Sequence, residues 1–311
     1  MTEPTAEALK PLKTWSHLAE NRKKPSEYEI VSTKTLFTTG NPDAALELSV
    51  DLPMNKWIKR YRSESPLQHE DWDAFRDPDG VVYRSYCTQR DSDEDYIDGL
   101  VSQYSDMGHD AKLSAEWLAQ LGSMYTPMRY LLHTAQMAAA YLVTMSQAST
   151  IANCAVFQMA DQFRWMSRVS YRTAELRKTW PDAGFGRDER AHWENDAGWQ
   201  GFRELMERML ATYDYGEAII ALNCVAMPAI DQGLKELGAR AAERGDTLTQ
   251  FLVEAQLADA QRRERWTQAF VTFVEAEPAN KAYVNEVIAH WSPLADKAVQ
   301  RYRDGFAAAM R

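Results

Sequence analysis

Histidine and cysteine are both scarce in this 311-residue chain, at six and three residues. Cys87, Cys154 and Cys224 lie far apart, are odd in number and show no paired metal-binding spacing. A disulfide framework is therefore not expected, and a reducing cytoplasm fits the usage best. Positive charge is also in deficit, with 35 Lys and Arg against 45 Asp and Glu and a formal net charge of -10. Such an excess repels phosphate backbones and anionic lipid, so neither nucleic acid nor a membrane surface is an expected partner. The densest basic run, Arg22-Lys23-Lys24, stops at Pro25 and is too short to reverse this. There is no phosphate-cradling glycine loop, nucleophile elbow, metallopeptidase motif or dinucleotide fingerprint. Met1 to Lys13 has no apolar core of the signal-peptide kind, so export is not expected. Tyr130 to Ala160 lacks Asp, Glu, Lys and Arg, but its apolar part ends at Met145, short of the roughly 20 residues of a membrane crossing. It reads as buried helix.

What is present is core-forming material. The chain is 45% hydrophobic and holds 10 Trp, 14 Tyr and 10 Phe, enough for an extensive interior. Seven of the twelve prolines fall in residues 1–90, which excludes a long helix there and predicts an extended arm. That arm carries Trp15, Tyr28, Phe37, Trp57, Tyr61, Trp72, Phe75, Tyr83 and Tyr86, aromatic surface that has to be covered by something, another chain included. From residue 91 apolar residues recur at three and four, predicting an all-α domain over 91–311. The spacing predicts helices over 93–107, 110–123, 127–147, 150–178, 199–226, 229–244, 246–276 and 278–310, the last broken near Pro293. Ser149 or Thr150 is expected to cap one start, Pro181 to follow one end, and Gly245-Asp246-Thr247 to close one helix and cap the next.

Helices of about 30 residues span about 45 Å, a length suited to a large antiparallel bundle of ferritin-like, ribonucleotide-reductase-like type. Such bundles hold two irons where inward carboxylates meet two Glu-x-x-His pairs. Two acid-x-x-His matches occur, Asp106 with His109 and Glu189 with His192. Chance alone supplies about one in a chain of this composition. Gly108 is expected to end the first helix, and Arg187 to Glu194 reads as a solvated segment. The longest unbroken predicted helices, 150–178 and 246–276, contain no histidine. One offers Gln158, Asp161, Gln162 and Arg164, the other Asp259, Gln261, Arg262 and Arg263, sets that suit ion pairs better than a dication. Asp161 with Arg164 and Asp259 with Arg263 are spaced to pair within their own helices. His17, His69, His133 and His290 fall into no recognisable arrangement with Ser, Cys or an acid and read as structural or surface groups.

Long ordered runs resemble a known family. They are Thr14-Trp15-Ser16-His17-Leu18-Ala19, Arg22-Lys23-Lys24-Pro25-Ser26-Glu27-Tyr28, Trp72-Asp73-Ala74-Phe75-Arg76-Asp77-Pro78-Asp79, Val82-Tyr83-Arg84, Ala148-Ser149-Thr150-Ile151, Ala160-Asp161, Arg164-Trp165, Tyr171-Arg172-Thr173 and Gly198-Trp199-Gln200-Gly201. From Lys13 to Tyr302 the chain resembles the beta subunit of the hydroxylase in toluene monooxygenase-type, multicomponent di-iron enzymes. The resemblance implies an (alpha-beta-gamma)2 hydroxylase with the di-iron centre in the alpha subunit. It further implies an effector protein, a Rieske-type ferredoxin and an NADH reductase. The positions that look like the alpha chain's two Glu-x-x-His pairs are Gln162 with Trp165 and Ala260 with Arg263, and every ligand type is lost. Glu217 looks like a further alpha carboxylate. No catalytic, cofactor or metal residue is carried over. Trp15, His17, Tyr28 and Trp72 are the expected partner interface.

The expected role is thus a structural, non-catalytic subunit of an enzyme that hydroxylates aromatic or alkene hydrocarbons with O2 and NADH-derived electrons. Two alternatives remain open at this point: a self-sufficient di-iron oxidase using Glu189, His192 and Glu217, and a helical interaction protein.

Overall fold

The computed structural model describes residues 24–36, 49 and 51–308. Helices α1 (Glu27–Ser32) and α2 (Pro53–Ile58) are short, as the prolines require. The first long helix is α3 (Tyr83–Asp106), followed by α4 (Ala115–Gln120), α5 (Met128–Met145), α6 (Ser149–Thr179) and α7 (Glu189–Asn195). The chain continues through α8 (Gln200–Leu210), α9 (Tyr215–Ile220), α10 (Met227–Glu243), α11 (Thr247–Val274) and α12 (Pro278–Ala308). No strand occurs among the described residues. The architecture is the ferritin-like long-helix bundle, its core running between α5, α6, α10, α11 and α12. No helix among the described residues is long and apolar enough to cross a membrane.

Several helix ends follow from the sequence. The Asp246 side chain accepts the Thr249 N–H at 2.9 Å and caps α11, directly after Gly245, whose φ of 73° closes α10. Pro181 lies just past the end of α6, as its ring demands.

Other expectations need correction. The helix expected from residue 93 begins at Tyr83, where Ser85 Oγ accepts the Val82 N–H at 3.0 Å. The single helix expected over 199–226 is broken between Leu210 and Tyr215, because Asp214 adopts extended backbone and caps α9 through the Glu217 N–H at 3.0 Å. Conversely, the break expected before residue 229 is absent. A π-helical stretch, Ala221–Ala226, joins α9 to α10 without a break and leaves Pro228 just after it, in the first turn of α10. Pro293 likewise sits inside α12 without ending it. Ala289, whose carbonyl loses its helical partner there, is exposed to water. Ser149 does not cap α6; its hydroxyl accepts the Thr35 N–H at 3.1 Å, tying the arm to the bundle.

Among the described residues, Trp57, Tyr61, Trp72 and Phe75 of the aromatic arm pack against their own chain, whereas Tyr83 is exposed. Phe75 is 1% exposed and packs edge-on against Phe270 and Phe273. Trp57 donates to Tyr141 Oη at 3.1 Å and packs with Tyr61 and Tyr213. Burial of such rings gains roughly 1.5–3 kcal/mol each, which fixes an irregular segment that has no ladder of its own.

An ion-pair interior in place of a metal centre

Helices α6, α10 and α11 face one another around an interior cavity of about 20 Å³. Its wall holds Gln162, Trp165, Ala260 and Arg263, the four positions that the resemblance picked out, and they come from two helices far apart in sequence. All four are buried. They therefore share a site, as the resemblance implies, but offer an amide, an indole, a methyl and a guanidinium where metal binding would need carboxylates and imidazoles.

Three acids adjoin this interior, and each is held by cations. Asp231 of α10 is paired with Arg263; burial pushes its carboxyl up, and the Arg263 guanidinium pulls it down. Asp259 is paired with both Arg90 of α3 and Arg164 of α6, and accepts the Trp165 indole N–H at 2.7 Å. Asp161 accepts from Arg262 at 2.8 Å and from the Tyr86 hydroxyl at 2.8 Å. Burial, with Asp161 beside it, pushes the Tyr86 phenol up and keeps it protonated as the donor. Arg164 also pairs with Glu94. The intrahelical pairs expected for Asp161 with Arg164 and for Asp259 with Arg263 do not form. In each case the acid reaches a neighbouring helix, because at these core-facing positions a partner across the interface also neutralises that helix's buried charge.

This donor set does not fit a di-iron centre. The guanidinium of Arg263 projects its positive charge at the cavity, the nearby carboxylates are already neutralised, and no histidine lines the wall. Among the described residues, no group of three or more His, Cys, Asp or Glu is arranged to hold a metal ion.

The remaining candidates do not assemble a second site. Glu189 is buried, contrary to the solvated reading of its segment, because the Gly186 N–H donates to it at 2.5 Å and Arg129 stands 3.7 Å away. His192 bonds instead to Asp196 at 2.7 Å, and Glu217 accepts from the Trp291 indole at 3.0 Å. Glu217 is absent from the cavity wall, and the carboxylate of this helix run that reaches it is Asp231. The two are about 20 Å apart along the axis at 1.5 Å per residue. His109 pairs with Asp246 at 3.0 Å while Asp106 is exposed. His69 stacks on Phe273 at 3.9 Å, and His133 and His290 are exposed.

Residues 57–278 match the family model for methane/phenol/alkene hydroxylase. The chain belongs to the methane/phenol/alkene hydroxylase family. It is 48% identical over 297 residues to the hydroxylase component subunit beta of the toluene-4-monooxygenase system of Ectopseudomonas mendocina, covering 95% of this chain and 91% of that protein. It is 23% identical over 256 residues to the oxygenase component of phenol 2-monooxygenase from Pseudomonas sp. (strain CF600), covering 78% of this chain and 75% of the relative. A solved structure of toluene 4-monooxygenase with toluene in its resting active site superposes with a TM-score of 0.92 at 46% identity, over 97% of this chain and all of that one. Xenon-pressurized phenol hydroxylase from Pseudomonas sp. OX1 gives a TM-score of 0.77 at 20% identity, over 99% of this chain and 94% of that one, a likeness of fold.

For this hydroxylase-family chain, the residues that sequence reasoning missed are Arg90, Glu94, Asp231 and Tyr86. All four lie on the helix faces turned toward α6 or α11; Asp231 follows the apolar run Ala226 to Ile230, whereas Arg90 and Glu94 lie in the polar run Thr88 to Asp95, where nothing in the sequence singles them out. Of the expected interface residues, Trp15 and His17 lie outside the described residues. Tyr28 and Trp72 are half-buried. The Asp77 N–H donates to Tyr28 Oη at 2.9 Å, and burial pushes that phenol up to about 12. Trp72 stacks on Phe270 at 6.4 Å between ring centres. Both keep an open side.

Proposed function

We propose that this chain is the structural beta subunit of a multicomponent hydroxylase that places one oxygen atom of O2 on aromatic or alkene hydrocarbons, using NADH-derived electrons. The observation that carries the reading is the fate of the cavity-lining positions: Gln162, Trp165, Ala260 and Arg263 share one interior site and fill it with groups that exclude a dication. A chain built this way supports a neighbour that holds the iron. In this reading the di-iron centre belongs to an alpha subunit, with a gamma subunit completing an (alpha-beta-gamma)2 assembly in the cytoplasm. An effector protein, a Rieske-type ferredoxin and an NADH reductase complete the system.

The N-terminal arm, residues 1–90, serves in this reading as a wrap around the alpha chain. Trp15, His17, Tyr28 and Trp72 form part of that contact; the open sides of Tyr28 and Trp72 support this. The test is iron analysis and affinity purification of the tagged chain expressed alone and with its neighbouring genes. The reading expects less than one iron per ten chains when alone, and hydroxylase activity only with a companion chain. About two irons per lone chain, or oxidase activity without a companion, would refute it.

A further inference from the structure

Gln158 and Gln162 stand one helical turn apart on α6, and both line the interior cavity. They are 1% and 8% exposed. The side-chain oxygen of each has no hydrogen-bond partner within the protein, whereas Gln158 Nε2 is engaged with Asn223 Oδ1 at 2.8 Å. Two buried acceptors one turn apart, on residues that line one small space, form an arrangement that is costly unless a donor reaches them.

The space and its charges restrict what that donor is. A volume of about 20 Å³ exceeds the roughly 10–15 Å³ that one water needs and leaves no room for an organic ligand. Arg263 on the same wall disfavours a cation, and Asp231 and Asp259 disfavour an anion. What fits is a small neutral molecule with two donors and two acceptor lone pairs. We propose that this cavity is a built site for one ordered water, which donates to Gln158 Oε1 and Gln162 Oε1. Gln256 and Arg263, N–H-bearing residues of the opposing α11 wall, line the same space. Side chains one turn apart on a helix are spaced to share such a bridge. The water links α6 to α11 at the centre of the bundle, and it does so whether or not the chain works as a subunit.

The test is diffraction to about 1.5 Å resolution from the full chain, crystallised with whatever chains accompany it, together with the Gln162→Leu variant. One isolated density peak about 2.8–3.0 Å from both glutamine oxygens is expected, disappearing in Gln162→Leu. Three results overturn the proposal. These are a cavity without density in the unmodified protein, a peak with five or more oxygen neighbours at about 2.4 Å, which is a cation, and a peak that persists unchanged in Gln162→Leu.

Discussion

The indole N–H of Trp117 donates to Asp246 Oδ2 at 2.8 Å, and both residues are completely buried. The same carboxylate accepts from the Thr249 N–H and hydroxyl at 2.9 and 2.7 Å and meets His109 Nε2 at 3.0 Å. One side chain thus starts α11, anchors α4 and closes the turn after α3. Burial opposes its charge, but the bonds from His109, Thr249 and Trp117 prevail and hold the carboxyl below its usual range.

Asp246→Asn is therefore expected to destabilise the chain by about 1–3 kcal/mol at neutral pH. A carboxyl with a depressed folded-state pKa contributes fully above its unfolded value of about 3.9 and loses that contribution as pH falls through the folded value. The gap between the native protein and the variant should be full at pH 6 and shrink below about pH 4. Urea unfolding at a series of pH values checks this; a gap that widens on acidification contradicts it.

The buried pair of Asp231 and Arg263 should show strong coupling. Arg263→Leu alone leaves a carboxylate buried among α6, α10 and α11 and is expected to cost about 3–5 kcal/mol. Asp231→Leu combined with Arg263→Leu should recover most of that loss. Denaturation midpoints of the two single variants and the double variant decide it, and additive losses would refute the coupling.

Close packing of α8 on α12 depends on Gly201. A Cβ at this position would lie 2.5 Å from Ala298 Cα and 3.0 Å from the Lys297 carbonyl oxygen, both backbone atoms with little freedom to move. Gly201→Ala is expected to destabilise by about 1–3 kcal/mol despite its better helix propensity. A thermal melt that rises instead of falling would show that the two helices separate freely.

Thiol reactivity should follow exposure. Cys87 is exposed, Cys154 is buried and Cys224 is half-buried; burial pushes the Cys154 thiol well up and the Cys224 thiol up to about 11. An aromatic disulfide reagent is expected to label one thiol per native chain quickly and three after denaturation. Mass spectrometry that finds Cys154 modified in the native protein would contradict the burial.

Under the proposed subunit role, with Trp15 in the contact, Trp15→Ala is expected to weaken co-purification with the proposed alpha chain by roughly 30-fold, as loss of an interface tryptophan does, with unchanged helicity by circular dichroism. Undiminished association would remove Trp15 from the interface.

Local rules carried far in this chain. Periodicity placed the long helices, and Gly245-Asp246-Thr247 and Pro181 marked their ends, because caps and proline act through neighbours within one turn. The same reasoning failed at Pro228 and Pro293. A proline's cost is local, but whether it ends a helix depends on a π-helical stretch or on the packing around the whole element. The spacing of Asp161 and Arg164 allowed an intrahelical pair, and the opposing helices offered each a different partner.

By itself the sequence determined that the chain is a long-helix bundle with an arm rich in aromatic residues, and that histidine is missing from the helices predicted over 150–178 and 246–276. Those properties reside in residue identity and in repeats of three to four residues. Only the tertiary structure decided that Gln162, Trp165, Ala260 and Arg263 meet at one cavity, that Asp231 rather than Glu217 supplies the acid there, and that Trp57 and Phe75 fold back onto their own bundle. Contacts between residues a hundred positions apart are set by how whole helices pack, which no short window of sequence contains.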